Sequence, residues 1–219
     1  MEKVLDEYNK PYNPDYPRIC FDERPCQLLG DILIPLEMKP GQVKKYDYHY
    51  ERHGVCNVLL AIEPLTGQRF AKITKQRTKV DYAIFMKELS GLYPQAKKIK
   101  LIQDNLNTHN PSSFYETFSA NTAFELSERF EMIYTPKKAS WLNMAEIEFS
   151  ALSKQCLDRR IGDMKVLEKE VLSWVNERNN KSVIINWQFT KNAARITFDK
   201  QYSISVSYTH LTLPTSDLV

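Results

Sequence analysis

Three acidic residues stand in three separate contexts: Asp22 after Ile19-Cys20-Phe21, Asp104 after Ile102-Gln103, and Glu146 after Trp141-Leu142-Asn143-Met144-Ala145. Carboxylates drawn from distant parts of a chain suit hard divalent cations, which take oxygen ligands. The chemistry such a cluster serves is phosphodiester cleavage, which needs an activated oxygen nucleophile, neutralised phosphate charge and a stabilised leaving oxygen. Two ions about 3.5–4 Å apart supply all three. Clustered acids also repel one another, so some of them should hold protons unusually tightly until a cation binds. Each acid has an ordinary reading too: Asp22 as a turn residue, Asp104 with Asn105 as an Asx turn, Glu146 as a solvated helix residue. Helical geometry alone leaves the third acid open, because Glu146 and Glu148 diverge by about 200° and both flank the apolar stripe of Ala145, Phe149, Leu152 and Cys156.

Residues able to meet a nucleic-acid backbone lie around these acids. Asn105 and His109 follow Asp104; His109 could contact phosphate or orient Asp104. Lys137 and Lys138 precede the Glu146 segment, and Trp141 could stack on a base or join the core. The whole-chain charge of +3, from 30 basic and 27 acidic residues, says little about partners. Between Lys72 and Lys100, however, eight cations (Lys72, Lys75, Arg77, Lys79, Lys87, Lys97, Lys98, Lys100) face only Asp81 and Glu88, a local net of +6. This stretch, led by Lys72, Lys75 and Arg77, is a candidate phosphate-binding patch.

The elements that must position these residues follow from pattern. Ile19–Phe21 is a short apolar run ending in Asp22, and Val55–Ile62 is a stronger strand, joined through Glu63-Pro64-Leu65-Thr66-Gly67 to Gln68–Thr74 as a hairpin. Thr78 with Asp81 forms a capping box that opens a helix closed by Gly91 and Pro94. Lys98–Gln103 is a compact strand delivering Asp104 at its C-terminal end, where open α/β sheets place their ligands. Helices are expected from Pro111 and from Thr122, a strand over Glu131–Tyr134, a helix capped by Ser140 that carries the third acid, and another from Asp163 to about Arg178. Antiparallel strands first and helix-linked strands later make a mixed α/β fold.

At 219 residues and 42% hydrophobic content the chain is long enough for one globular unit. Residues 1–17, with three prolines, are expected to be an extended lead-in; 18–202 form the catalytic domain; and 203–219, which can be back-translated into a sequencing adapter, are a non-native or disordered tail. Cys20, Cys26, Cys56 and Cys156 show no metal-site spacing and are expected to be free thiols. No signal peptide and no membrane-length apolar run is evident, so a cytoplasmic, nucleoid-associated protein is expected.

Two stretches, Gln103-Asp104-Asn105-Leu106-Asn107-Thr108-His109 and Tyr134-Thr135-Pro136-Lys137-Lys138-Ala139-Ser140-Trp141-Leu142-Asn143-Met144-Ala145-Glu146-Ile147-Glu148-Phe149, resemble transposases of the insertion-sequence-630 type in the mariner superfamily. The likeness covers about Val4 to Phe198. It implies a ribonuclease-H-like mixed sheet, three antiparallel strands followed by helix-linked parallel strands, flanked by helices. It also implies that Asp22, Asp104 and Glu146 are the catalytic, metal-binding triad, since the Asn-x-x-Glu spacing from Asn143 selects Glu146. Two Mg²⁺ ions, with Mn²⁺ as substitute, would serve hydrolytic nicking at element ends and then attack of the freed 3′-hydroxyl on target DNA. Expected partners are double-stranded DNA, both terminal inverted repeats and TA-containing target, bound by a homodimer. The gap between the second and third acids implies an extra helical segment near Phe114–Arg129. The helix-turn-helix region by which such enzymes read their ends is not evident ahead of Asp22. The alternatives are a nuclease of this fold that does not join strands, and an inactive DNA-binding remnant.

Overall fold

The computed structural model describes residues 1–33, 38–42, 47–137 and 139–200. Within 11–186 the strands are β1 (Arg18–Asp31), β2 (Tyr50–Glu63), β3 (Gln68–Thr74), β4 (Ile99–Gln103) and β5 (Phe130–Tyr134), in the order β3-β2-β1-β4-β5. β1–β2 and β2–β3 are antiparallel; β1–β4 and β4–β5 are parallel. The expected mixed sheet is therefore present. Its helices are α2 (Lys79–Gly91), α3 (Ser112–Thr117), α4 (Ala120–Arg129), α5 (Met144–Gln155) and α6 (Met164–Asn180).

Both faces of the sheet are covered, which is why the inner half of β2 is buried without alternation. Leu59 and Ala61 join Ile19 and Phe21 against Tyr82, Phe85, Met86 and Leu89 of α2 and Phe114 of α3. Val58 and Leu60 turn the other way, against Phe149 and Leu152 of α5 and Val171, Trp174 and Val175 of α6. Burying a side chain of this size contributes roughly 1.5–3 kcal/mol, so these two layers dominate the stability of the unit.

Local sequence signals account for most of the ends. Thr78 and Asp81 make the reciprocal capping box of α2, and Asp163 caps α6 by accepting from Lys165 and Val166. Gly67 closes the β2–β3 turn at φ +74°, where a Cβ would lie 2.7 Å from the Val183 carbonyl oxygen. No other residue fits there without moving backbone.

Three expectations are corrected. Asp22 does not end a short strand: β1 continues nine residues past it, to Asp31. Ser140 does not cap α5; Ser140–Leu142 is a single 3₁₀ turn, and Asn143 is the cap. Residues 1–17 are not wholly extended, because α1 (Glu2–Tyr8) is a helix whose Val4, Leu5 and Tyr8 share a buried face. The prolines at 11, 14 and 17 all follow that helix and so end it rather than forbid it. α1 belongs to a second compact unit, residues 2–10 with those from 187 onward, which includes α7 (Lys191–Thr197). There Tyr8 packs on Trp187 at 5.2 Å between ring centres, and Lys191 and Arg195 pair with Asp6 and Glu2. The expected 203–219 tail lies outside the described residues.

Candidate active site

The sheet brings the first two acids together by register. β1 and β4 are parallel, with Cys20 opposite Ile102; continued two residues, this register sets Asp104 beside Asp22 on strands about 4.8 Å apart. Asp104 stands at the C-terminal end of β4. The period of two along β1 decides which way each side chain points. Phe21 packs towards α2, so Asp22 faces α5 and Glu23 turns back towards α2.

Asn143 brings in the third acid. Its Oδ1 accepts from the Ala145 amide at 3.2 Å, capping α5, while its Nδ2 donates to the Phe21 carbonyl at 2.8 Å and lies 3.4 Å from Asp22 Oδ2. One side chain thus ties the start of α5 to β1, and Glu146, in the first turn, is exposed next to Asp22 in a cleft of about 540 Å³. Burial pushes the Asp22 carboxyl up to about 7; the Glu23 amide donating to Asp22 Oδ1 at 2.8 Å opposes this, and the charges of Glu146 and Asp104 reinforce it.

Glu148 turns away from the cleft. Fully buried, it accepts from Arg69 at 2.7 and 3.0 Å and from Arg178 at 2.6 and 3.3 Å, joining α5 to β3 and α6. Of the two acids that helical spacing left open, only Glu146 faces Asp22.

His109 is fully buried, its ring 5.2 Å from Phe21 and stacked at 5.1 Å on Tyr82. Nδ1 bonds Asp104 Oδ1, and Nε2 lies 3.4 Å from Glu23 Oε2, which also pairs with Arg77 at 3.2 Å through Oε1. Burial disfavours the charged ring, yet the carboxylates of Asp104 and Glu23 outweigh it and raise its pKa to about 9. The same His109 hydrogen bond, opposed by burial, lowers the pKa of Asp104. In this conformation His109 orients Asp104 and offers no surface to a phosphate.

The other candidates divide. Asn105, Lys75 and Lys137 are exposed, and Trp141 is 41% exposed in the turn before Asn143. Lys138 lies outside the described residues. Five of the eight cations between 72 and 100 are neutralised: Lys72 by Glu88, Arg77 by Glu23, Lys79 by Glu116, Lys97 by Asp15 and Lys98 by Glu128. The sequence-local excess of +6 is therefore partly offset, because acids distant in sequence fold against it. Sequence reasoning passed over Glu23, which sits beside Asp22 but on the other face of β1, and over Arg24 and Lys154, which line the cleft; strand parity and the i, i+4, i+8 spacing from Glu146 were the signals available.

Residues 17–168 match the family model described as DDE superfamily endonuclease. The chain belongs to that family. Mos1 mariner transposase structures are similar to it in fold. The Mos1 mariner paired-end complex with Mn superposes with a TM-score of 0.56 at 14% identity, covering 83% of this chain and 55% of that one. The Mos1 strand transfer complex gives 0.55 at 13%, covering 85% and 60%, and the Mos1 catalytic domain gives 0.54 at 11%, covering 83% and 87%. These likenesses establish the ribonuclease-H-like fold. The chain spans little more than half the length of the full Mos1 transposase chains. No curated protein sequence matches it. Among the described residues no helix is long and apolar enough to cross a membrane.

Proposed function

We propose that residues 11–186 are the catalytic domain of a transposase of the insertion-sequence-630 and mariner type, in which Asp22, Asp104 and Glu146 are the catalytic acids. The observation that carries this is the convergence of three carboxylates from β1, the end of β4 and the first turn of α5, near enough that the charges of Glu146 and Asp104 add to burial in raising the Asp22 pKa. Acids gathered at the C-terminal end of a parallel strand pair, with His109 balancing only part of their charge, suit a cation-binding site.

The donor set suits Mg²⁺ or Mn²⁺, being all hard oxygen, and a cation would relieve the mutual repulsion of the acids. Among the described residues no three His, Cys, Asp or Glu side chains stand close enough to enclose one ion. Asp22, Asp104 and Glu146 would be the residues to hold the ions. Such ions would supply charge neutralisation and an acidified water. The chain's own contribution is orientation. His109 holds Asp104, Asn143 holds α5 against β1, and Glu148, with its two arginines, locks the pitch of the helix that carries Glu146.

The reaction is hydrolytic nicking at element ends followed by joining of the 3′-hydroxyl to TA-containing target DNA, with two ends held by a homodimer. The fold it shares with the Mos1 paired-end complex with Mn and the Mos1 strand transfer complex supports this reading. The test is an Mg²⁺-dependent assay that scores nicked and joined product separately. Asp104→Asn should abolish both while leaving the circular-dichroism spectrum unchanged. Full activity of that variant would remove the assignment, and nicking without joining would reduce the function to that of a nuclease.

A further inference from the structure

The cleft beside the acids does not end at them. It runs between β1 and α5, bounded by Asp22 and Glu146 at one end and by Arg24 and Lys154 at the other. The geometry points to a backbone-binding subsite here: Arg24 and Lys154, with Ser150 between Glu146 and Lys154, hold phosphates of the DNA strand about two to four steps from the scissile one.

Spacing gives the first argument. Glu146, Ser150 and Lys154 recur every four residues and all three are exposed, so they make one stripe along α5. Lys154 lies eight residues beyond Glu146, about 12 Å along the helix axis at 1.5 Å per residue. That is about three to four nucleotide steps of duplex rise, at 3.4 Å per step on one strand. On the facing wall Arg24 follows Asp22 by two residues, pointing to the same face of β1 about 6.6 Å further on. Both walls therefore change from acid to base in the same direction.

Unspent charge gives the second. Most cations of the 72–100 stretch pair with acids, whereas among the described residues Arg24 and Lys154 have no acidic partner. Arg24 is held in place without being neutralised: its guanidinium donates to Ser153 Oγ and to the Phe149 carbonyl oxygen at 3.4 Å, both neutral acceptors on α5. An arginine braced by its neighbours keeps most of its fork of donors for a phosphate. Among the described residues Lys154 makes no bond to the rest of the chain, and it supplies an exposed point charge. Ser150 adds a neutral hydroxyl of the kind that positions a phosphate without discriminating sequence. The subsite accordingly recognises backbone and not base edges.

This subsite rests on the reading of the acids as a DNA-cutting centre, and the experiment separates the two. Duplex binding is measured across salt concentrations for the full chain and for Lys154→Gln, Arg24→Gln and the double variant, with Lys72→Gln as a paired-cation control; nicking by the unmodified chain is scored in parallel. Lys154→Gln breaks no bond in the folded protein, so it serves where Arg24→Gln disturbs packing. Each lost phosphate contact should lower the slope of log K against log salt by about 0.9 and weaken binding about eightfold at 0.1 M salt. Lys72→Gln should leave both unchanged. If Lys154→Gln binds with the unmodified slope while the unmodified chain nicks DNA, the subsite is wrong and the active-site reading stands. If the slope falls but no Mg²⁺-dependent nicking occurs, the subsite stands and the enzymatic reading fails. Absence of any DNA binding by the unmodified chain overturns both.

Discussion

Replacing Asp22 with asparagine should make the metal-free protein more stable while destroying its activity. The Asp22 carboxyl is raised from 3.8 to about 7 in the fold, chiefly by burial and then by the charges of Glu146 and Asp104. A folded pKa above the unfolded value means that the native state binds the proton more tightly. Stability is therefore greatest below the unfolded value and is lost as pH rises from about 4 through about 7, after which the penalty is constant. A shift of about three units at 1.36 kcal/mol each sets a ceiling of about 4 kcal/mol. The side chain is only partly buried and keeps some hydration, so about 2 kcal/mol is the working magnitude. Asparagine removes the charge, keeps the oxygen that accepts from the Glu23 amide, and costs at most the long 3.4 Å contact with Asn143. For a chain of this size the gain corresponds to a rise in Tm of about 4–8 °C. Thermal unfolding in EDTA at pH 8 checks the sign, and the same comparison near pH 4 should show the difference nearly closed. Mg²⁺ should then raise the Tm of the unmodified protein and not that of Asp22→Asn. An Asp22→Asn variant no more stable than its parent at pH 8, or equally stabilised at both pH values, would refute the argument that repulsion and burial set this site.

Glu148→Ala should destabilise the protein by about 3–5 kcal/mol, because it leaves the guanidinium of Arg69 buried and that of Arg178 largely so, both without their carboxylate; urea unfolding reads the loss. Glu146→Gln, on the exposed stripe of the same helix, should change stability by less than about 0.5 kcal/mol while abolishing nicking, so equal effects of the two substitutions on stability would contradict their opposite placement. Gly67→Ala should cost at least about 1–3 kcal/mol, from a positive φ and a Cβ driven against the Val183 carbonyl, and a neutral result by thermal melt would show that the 182–183 segment yields.

What the sequence disclosed was whatever is local. The Thr78–Asp81 box, the hairpin through Gly67, the strand delivering Asp104 and the helix starting at about Asp163 are signals carried by short stretches of sequence, and each is present. The adjacency of Asp22 and Asp104 was not readable this way, because it depends on β1 and β4 being parallel neighbours, a property of strand order. The choice between Glu146 and Glu148 defeats periodicity for a similar reason: Glu148 lies on the buried side only because Arg69 and Arg178, 79 and 30 residues away, make its charge tolerable there. The basic stretch was legible only as a local count, which leaves out Asp15, Glu23, Glu116 and Glu128, four acids that the fold brings against it. The helix at Glu2–Tyr8 was hidden by prolines that lie just beyond it, and its stripe of Val4, Leu5 and Tyr8 is too short to stand out from composition.

Asn143 gives the centre a fixed gauge. Because a single carboxamide grips the Phe21 carbonyl with one end and the first turn of α5 with the other, the gap between the first and third acids is set by the length of one side chain and not by slack in the 135–142 connection. The connecting loop can therefore vary in sequence and length without retuning the chemistry, while the lengthening of that one amide by a methylene, as in Asn143→Gln, or its exchange for a repelling carboxylate, as in Asn143→Asp, would let the two halves of the centre drift apart in an otherwise intact fold.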